Sequence, residues 1–223
     1  MSESGINSLV FLDESGININ MTRHYARSKR NERAVDSTPL NTPCNTTVLS
    51  SILLNGRTAY TVYQGGTTAE RFAEYLENTL IPTLSREDID VMDNMRSHHA
   101  KIVKQVLDTS GIRYLYLPPY SPDLNPIEKM WSKIKAYLRK EKIRIVSGLP
   151  DAIERAFSIV TVSDCLGWFR VIMCNNLLDC YSFKSKFHSV MTVKGGFVRP
   201  DICINLLECY KCKLKQHSNS IFL

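Results

Sequence analysis

No stretch of this sequence approaches the about 18 to 20 uncharged apolar residues that a membrane-spanning helix needs. Its opening, MSESGINSLVFLDES, lacks the basic segment that begins a secretory signal. The expectation is a protein that neither crosses a membrane nor is exported. Cysteine is scarce through most of the chain: Cys44 stands alone, and Cys165, Cys174, Cys180, Cys203, Cys209 and Cys212 fall in the last quarter. An odd number at irregular spacing excludes the disulfide framework of a small secreted domain. There is no internal repeat and no low-complexity linker. What is present is 223 residues with 43% hydrophobic content, enough to bury a full core. A formal net charge of +6 favours a polyanionic partner, though only weakly.

Hydrophobic patterning predicts alternating strands and helices. Residues 8–13 (SLVFLD) read as a buried strand ending at Asp13, where Asp13, Glu14, Ser15 and Gly16 signal a turn. A basic segment follows, with Arg23, His24, Arg27, Lys29, Arg30 and Arg33, and reads as an exposed hairpin or loop. Residues 46–54 and 59–63 form a hairpin around Asn55-Gly56. Phe72, Leu76, Leu80 and Leu84 recur every fourth residue and predict an amphipathic helix over 68–84. A strand at 89–92 leads into Asp93; then come a helix over 100–107 and a strand over 112–117. Asn125-Pro126-Ile127-Glu128 opens a helix with Asn as N-cap and Pro at the first helical position. Helices over 149–160 and 163–173 complete an α/β chain with a mixed five-stranded sheet flanked by helices. Beyond residue 175 no defensible period remains, so the expected division is a domain over 1–175 and an atypical tail over 176–223.

Three carboxylates stand where strand ends and a helix start would gather them: Asp13, Asp93 and Glu128. Converging acids repel unless a cation neutralises them, and oxygen-only ligands select hard divalent ions. Each also has an ordinary local reading: Asp13 as a turn former, Asp93-Asn94 as a turn, Glu128 as a helix-capping residue. Glu14 and Asp90 have the opposite strand parity and are expected to face away from the site; Asp123 reads as a turn former.

The local sequences favour the first interpretation. FLDESG (11–16), VMDNMRSHH (91–99) and above all LPPYSPDLNPIEKMW (117–131) resemble the three signature blocks of Tc/mariner-like transposases, with 34 residues between Asp93 and Glu128. MTRHYARSKRNERAV (21–35) resembles the corresponding region of bacterial insertion-sequence members, and the similarity runs from about residue 8 to about residue 174. The resemblance implies a ribonuclease-H-like fold in which Asp13, Asp93 and Glu128 bind two Mg2+ or Mn2+ ions. It implies DNA cleavage and strand transfer, a possible homodimer on DNA, and a cytoplasmic, nucleoid-associated location. Asn94 and His98 are auxiliary candidates, with His99 beside them. Arg23, Arg27, Lys29, Arg30, Lys129, Lys133, Lys135 and Arg139 are candidate contacts to DNA phosphates; a solvated surface is the ordinary alternative for them.

Relatives carry an amino-terminal helix-turn-helix region, and this chain starts almost at the first catalytic strand. The expectation is therefore that this region is absent and that a separately encoded recognition partner, or a fusion, finds the transposon ends. The tail matches no family pattern; a zinc site from Cys203, Cys209, Cys212 and His217 is an alternative for it. Rival functional readings are another ribonuclease-H-like nuclease or integrase, and a remnant that binds DNA without cutting it.

Overall fold

The computed structural model describes residues 9–23, 25–40, 45–117 and 122–180, the last nine of these by backbone alone. Five strands form one sheet in the order β3-β2-β1-β4-β5. β1 (Leu9–Ile17), β2 (Thr46–Leu53) and β3 (Thr58–Gln64) make an antiparallel meander, while β4 (Ile89–Met92) and β5 (Arg113–Tyr116) run parallel to β1. The mixed five-stranded sheet expected from the sequence is thus observed. The Asn55-Gly56 turn closes the β2–β3 hairpin, with Gly56 at φ 83°, in the left-handed region where a side chain would be strained.

Strand alternation sorts the core into two layers. Leu9, Phe11, Ile89 and Val91 face α3 (Ile127–Glu141), α4 (Leu149–Ser158) and α5 (Val162–Cys180), whose Ile127, Met130, Ile134, Ile153 and Phe169 complete that layer. Val10, Leu12, Leu49 and Met92 face the other way, onto Phe72 and Tyr75 of α1 (Ala69–Tyr75), Leu76 and Leu80 beyond it, and Val103 and Leu107 of α2 (Lys101–Ser110). Gly111, at φ 70°, ends α2 in a left-handed cap.

Three expectations need correction. β1 does not stop at Asp13: Asp13 to Ile17 continue in register with Ser50 to Thr46 of β2, because antiparallel pairing satisfies backbone groups that a turn would leave to water. The pairing of β1 with β4 does end at Leu12↔Met92, so Asp13 sits just beyond the end of the parallel ladder rather than at the end of the strand. The helix predicted over 68–84 is α-helical only to Tyr75; Leu76–Leu80 form a π-turn and Ile81–Thr83 a 3-10 turn. A repeat of four drifts about 40° per step around an α-helix. The wider π-turn absorbs this drift and keeps Leu76 and Leu80 fully buried together. Finally, α5 runs over Val162–Cys180, past the helix end expected at 173. Residues 181–223, with the cysteine and histidine set considered for zinc, lie outside the described residues, as do His24 and Cys44. No helix among the described residues is long and apolar enough to cross a membrane.

Candidate active site

Asp13 has the strand parity of Phe11 and Ser15, so its side chain points at the α3 layer. It is 9% exposed. Its Oδ1 accepts the Glu14 backbone N–H at 2.8 Å, and its Oδ2 accepts the Trp131 indole Nε1–H at 3.2 Å. The sequence marks Trp131 only as a core residue of α3; its role as a carboxylate donor becomes visible once β1 lies against that helix. Glu128 is three residues before Trp131, hence on the same helical face and one turn nearer the N-terminus. That first turn favours an acidic side chain electrostatically. The cap lies one residue from the expected pattern: α3 begins at Ile127 with Pro126 before it, and Asn125 Oδ1 still accepts the Ile127 N–H at 3.4 Å.

Asp93 follows β4 directly and shares the parity of Ile89 and Val91. Its Oδ1 meets His98 Nδ1 at 2.8 Å and accepts the Met95 N–H at 3.3 Å. A 3-10 turn, Arg96–His99, brings His98 back onto Asp93, where its ring is completely buried and stacks on Phe72 at 4.0 Å. Asn94 is exposed and bonded through Oδ1 to His99 Nε2; His99 in turn lies over Tyr116.

The three carboxylates arrive from β1, the end of β4 and the start of α3, and they feel one another. Burial pushes the Asp13 carboxyl up to about 7 against the opposing pull of the Glu14 amide. The charges of Glu128 and Asp93 push it further in the same direction, and Trp131 partly offsets them. Among the described residues, no three acidic, histidine or cysteine side chains close around a common point near enough to hold a metal ion. Like charges favour such spacing: Asp93 turns to His98, and Glu128 stays exposed. The donor set is nevertheless chemically suited to a hard cation. It is oxygen-only, and none of the groups acting on buried Asp13 is a lysine or arginine.

The basic candidates divide. Arg23, Arg27, Lys29 and Arg30 are exposed on an irregular excursion between β1 and β2. Lys129 is exposed, and Lys135 and Arg139 are partly so. Lys133 is committed elsewhere, its Nζ 2.5 Å from Asp164 Oδ2 on α5. The excursion is tied down at its base, which the sequence did not disclose. Arg144 donates to the carbonyls of Ile19 and Met21 at 2.8 Å and to that of Ser37 at 3.3 Å. Lys142 pairs with Asp36 at 2.8 Å and holds that carboxyl down to about 2, with help from Thr22 and Ser37. Glu14 faces away from the site, as its parity requires. Asp90 also lies on the far face, yet is not remote in effect, since it feels the charge of His98.

The family model described as DDE superfamily endonuclease matches residues 8–149, and the chain belongs to that family. It is similar to the Transposable element Tcb2 transposase of Caenorhabditis briggsae, 25% identical over 122 residues, which are 52% of this chain and 45% of that protein. The fold resembles the catalytic domain of Mos1 mariner transposase, with a TM-score of 0.60 and 19% identity over 84% of this chain and 87% of that one. It also resembles the Mos1 mariner paired end complex with Mn, with a TM-score of 0.65 and 20% identity, covering 84% of this chain and 58% of that one. The ribonuclease-H-like architecture expected from the signature blocks is therefore the observed one. The chain spans about half the length of the curated relative it matches.

Proposed function

We propose that this chain is the catalytic domain of a transposase that cuts DNA and transfers the freed 3′ end to a new site, with Asp13, Asp93 and Glu128 holding divalent magnesium or manganese. The observation that carries this reading is the placement, in a chain of the DDE superfamily endonuclease family, of Asp13 just beyond the β1–β4 ladder, Asp93 directly after β4 and Glu128 in the first turn of α3, the helix whose Trp131 donates to Asp13. The family supports an endonuclease, and the Mos1 paired end complex is one with Mn. Such ions, when bound, would supply the charge that activates an attacking oxygen and stabilises a leaving one during displacement at phosphorus.

The chain's own residues do the rest. Trp131 and the Glu14 amide fix the Asp13 carboxylate from two sides, so it keeps its orientation without solvent. His98 and the Met95 amide anchor Asp93 through one oxygen. Glu128, on the exposed first turn of α3, is the member with room to move as substrate arrives. Arg23, Arg27, Lys29, Arg30, Lys129, Lys135 and Arg139 neutralise DNA phosphates, which gives affinity without sequence information. Two copies on paired DNA ends are part of the same reading.

The test is nicking and strand joining on transposon-end DNA with Mg2+ or Mn2+, with a pre-cut end included so that end recognition is bypassed. Joining of the pre-cut end, abolished by chelator and by Asp93→Ala, is the expected result. Metal-dependent cutting of RNA in hybrids without strand joining would replace the transposase by a ribonuclease. Metal binding unaffected by Asp13→Ala, Asp93→Ala and Glu128→Ala would end the proposal.

A further inference from the structure

The cleavage chemistry leaves His99 without a task, although contacts on either side of Asp93 hold its ring at the edge of the site. Asn94, the residue after Asp93, accepts from His99 Nε2 through its Oδ1. Tyr116 lies across the β4–β5 ladder from Met92, the residue before Asp93, and its hydroxyl donates to the His98 carbonyl at 3.0 Å. The His99 ring lies over the Tyr116 ring at 4.1 Å and 31°. Tyr114, two residues earlier on β5, meets Tyr116 edge to face at 5.7 Å. His99 is thus backed by aromatic rings on one side and remains exposed on the other. Met92, Tyr114 and Tyr116 belong to the layer opposite α3, so the stack stands across the strand ends from Asp13. It is still close enough to the carboxylates for the charge of Asp93 to act on His99.

An exposed aromatic stack beside cations is the arrangement by which proteins hold a nucleobase. Arg96 in the 3-10 turn, and Lys101 and Lys104 in the first turn of α2, are exposed around this one. The acid further along α2, Asp108, lies beside Tyr114. Both rings of the stack are neutral at pH 7. Burial pushes the Tyr116 phenol up to about 12. Burial and the charges of Lys104 and His98 lower the His99 imidazole below its ordinary value, against the opposing effect of Asp93. A neutral ring suits the flat face of a base rather than a phosphate. Bases inside a duplex stack on one another and offer no face, so the ligand must be unpaired. We propose that the His99–Tyr116 stack binds an unpaired DNA base next to the phosphate at Asp93, while Arg96, Lys101 and Lys104 hold the backbone leading to it. This inference rests on the reading of the chain as a DNA-cutting enzyme. It adds a contact to a base, where the basic excursion offers contacts to phosphates.

The test uses the full chain in chelator and two forms of one DNA end: a blunt duplex, and the same duplex with a short unpaired overhang. The overhang carries 2-aminopurine, whose fluorescence dims when its ring is stacked, and anisotropy gives the affinity for each form. The parent is expected to prefer the overhang about tenfold and to dim the probe. His99→Ala should remove both the preference and the dimming. The slope of log affinity against log salt should not change in that variant, since no charge is lost. His99→Phe should keep the preference and the dimming, because a ring remains. An abasic residue in place of the probe should abolish the preference of the parent. A preference that survives in His99→Ala, or that is lost equally in His99→Phe, would overturn this inference. So would lower affinity for both ends with the preference intact, which would make His99 a structural residue. A parent that shows no preference yet joins pre-cut ends with metal would remove the base site and leave the transposase reading standing. Failure to bind either DNA, or to join it, would remove that reading as well.

Discussion

Replacing Asp13 by asparagine should make the metal-free protein more stable at pH 8 while removing its response to metal. The folded Asp13 carboxyl is raised from 3.8 to about 7, chiefly by burial. A raised carboxyl binds its proton more tightly in the folded state than in the unfolded one. Between about pH 4 and 7 the folded protein therefore carries more protons, and stability falls as pH rises through that window. From pH 5 to pH 8 the buried charge costs about 3 kcal/mol, at about 1.4 kcal/mol per pH unit up to the folded value. Asparagine removes this dependence but has one acceptor oxygen for two donors, the Glu14 amide and the Trp131 indole. The mismatched donor costs about 1 to 3 kcal/mol at every pH. The variant should thus be level with or below the parent at pH 5 and gain on it by about 3 kcal/mol by pH 8. Urea unfolding in chelator at both values measures the difference. With millimolar Mn2+, the parent should gain stability by binding linkage and the variant should not. A difference between the two proteins that does not change with pH would refute the account of Asp13 as a buried, charge-opposed acid.

Other outcomes follow from the same geometry. Trp131→Phe removes the indole donor while keeping a ring beside Phe157, and should cost about 2 to 4 kcal/mol at pH 8. Urea unfolding at pH 5 should show a smaller loss, because a protonated Asp13 is a poorer acceptor; equal losses would contradict the pairing. Arg144→Ala releases the carbonyls of Ile19, Met21 and Ser37, so trypsin should cut within residues 23–33 about tenfold faster, the equivalent of about 1.4 kcal/mol less protection against local opening. An unchanged cutting rate would mean that the clamp holds nothing. Changing Arg27, Lys29 and Arg30 together to glutamine should lower the slope of log affinity for duplex DNA against log salt by about 3, near one for each phosphate that is no longer neutralised. The same titration would show an unaltered slope if this excursion does not touch DNA.

The features legible in the sequence were those set by local pattern. Alternation and the Asn55-Gly56 turn located the hairpin, and short runs between turn signals located the buried β4 and the half-buried β5. The Asn-Pro-x-Glu start placed Glu128 in the first turn of a helix. Features decided by partners distant in the chain were not legible. The turn residues from Asp13 to Gly16 became strand because β2 lay alongside them. The fourfold leucine spacing looked like one helix because periodicity does not separate an α-turn from a π-turn over so short a run. Trp131 reads as a core residue and Arg144 as a base just past a helix end; each meets its partner only after the sheet and α3 have docked. A tryptophan one turn after an acidic helix start, on the apolar face, was the available signal for the first of these.

Helix α3 links the two halves of the proposed machinery. Its first turn presents Glu128, its second supplies the Trp131 donor to Asp13, and the residues just past its end, Lys142 and Arg144, secure the basic excursion to the body of the protein. Lys142 makes this possible by adopting a left-handed φ of 52°, which ends the helix and redirects the chain towards Asp36. A substitution that shifts α3 against the sheet, such as Ile134→Ala in its fully buried centre, would therefore disturb both ends at once. Cavity formation there should cost about 2 to 5 kcal/mol. If the helix acts as a rigid connector, weaker Mn2+ affinity and faster proteolysis of the excursion should appear together. If either changed while the other stayed at the parental value, the metal site and the excursion would be mechanically independent despite their common helix.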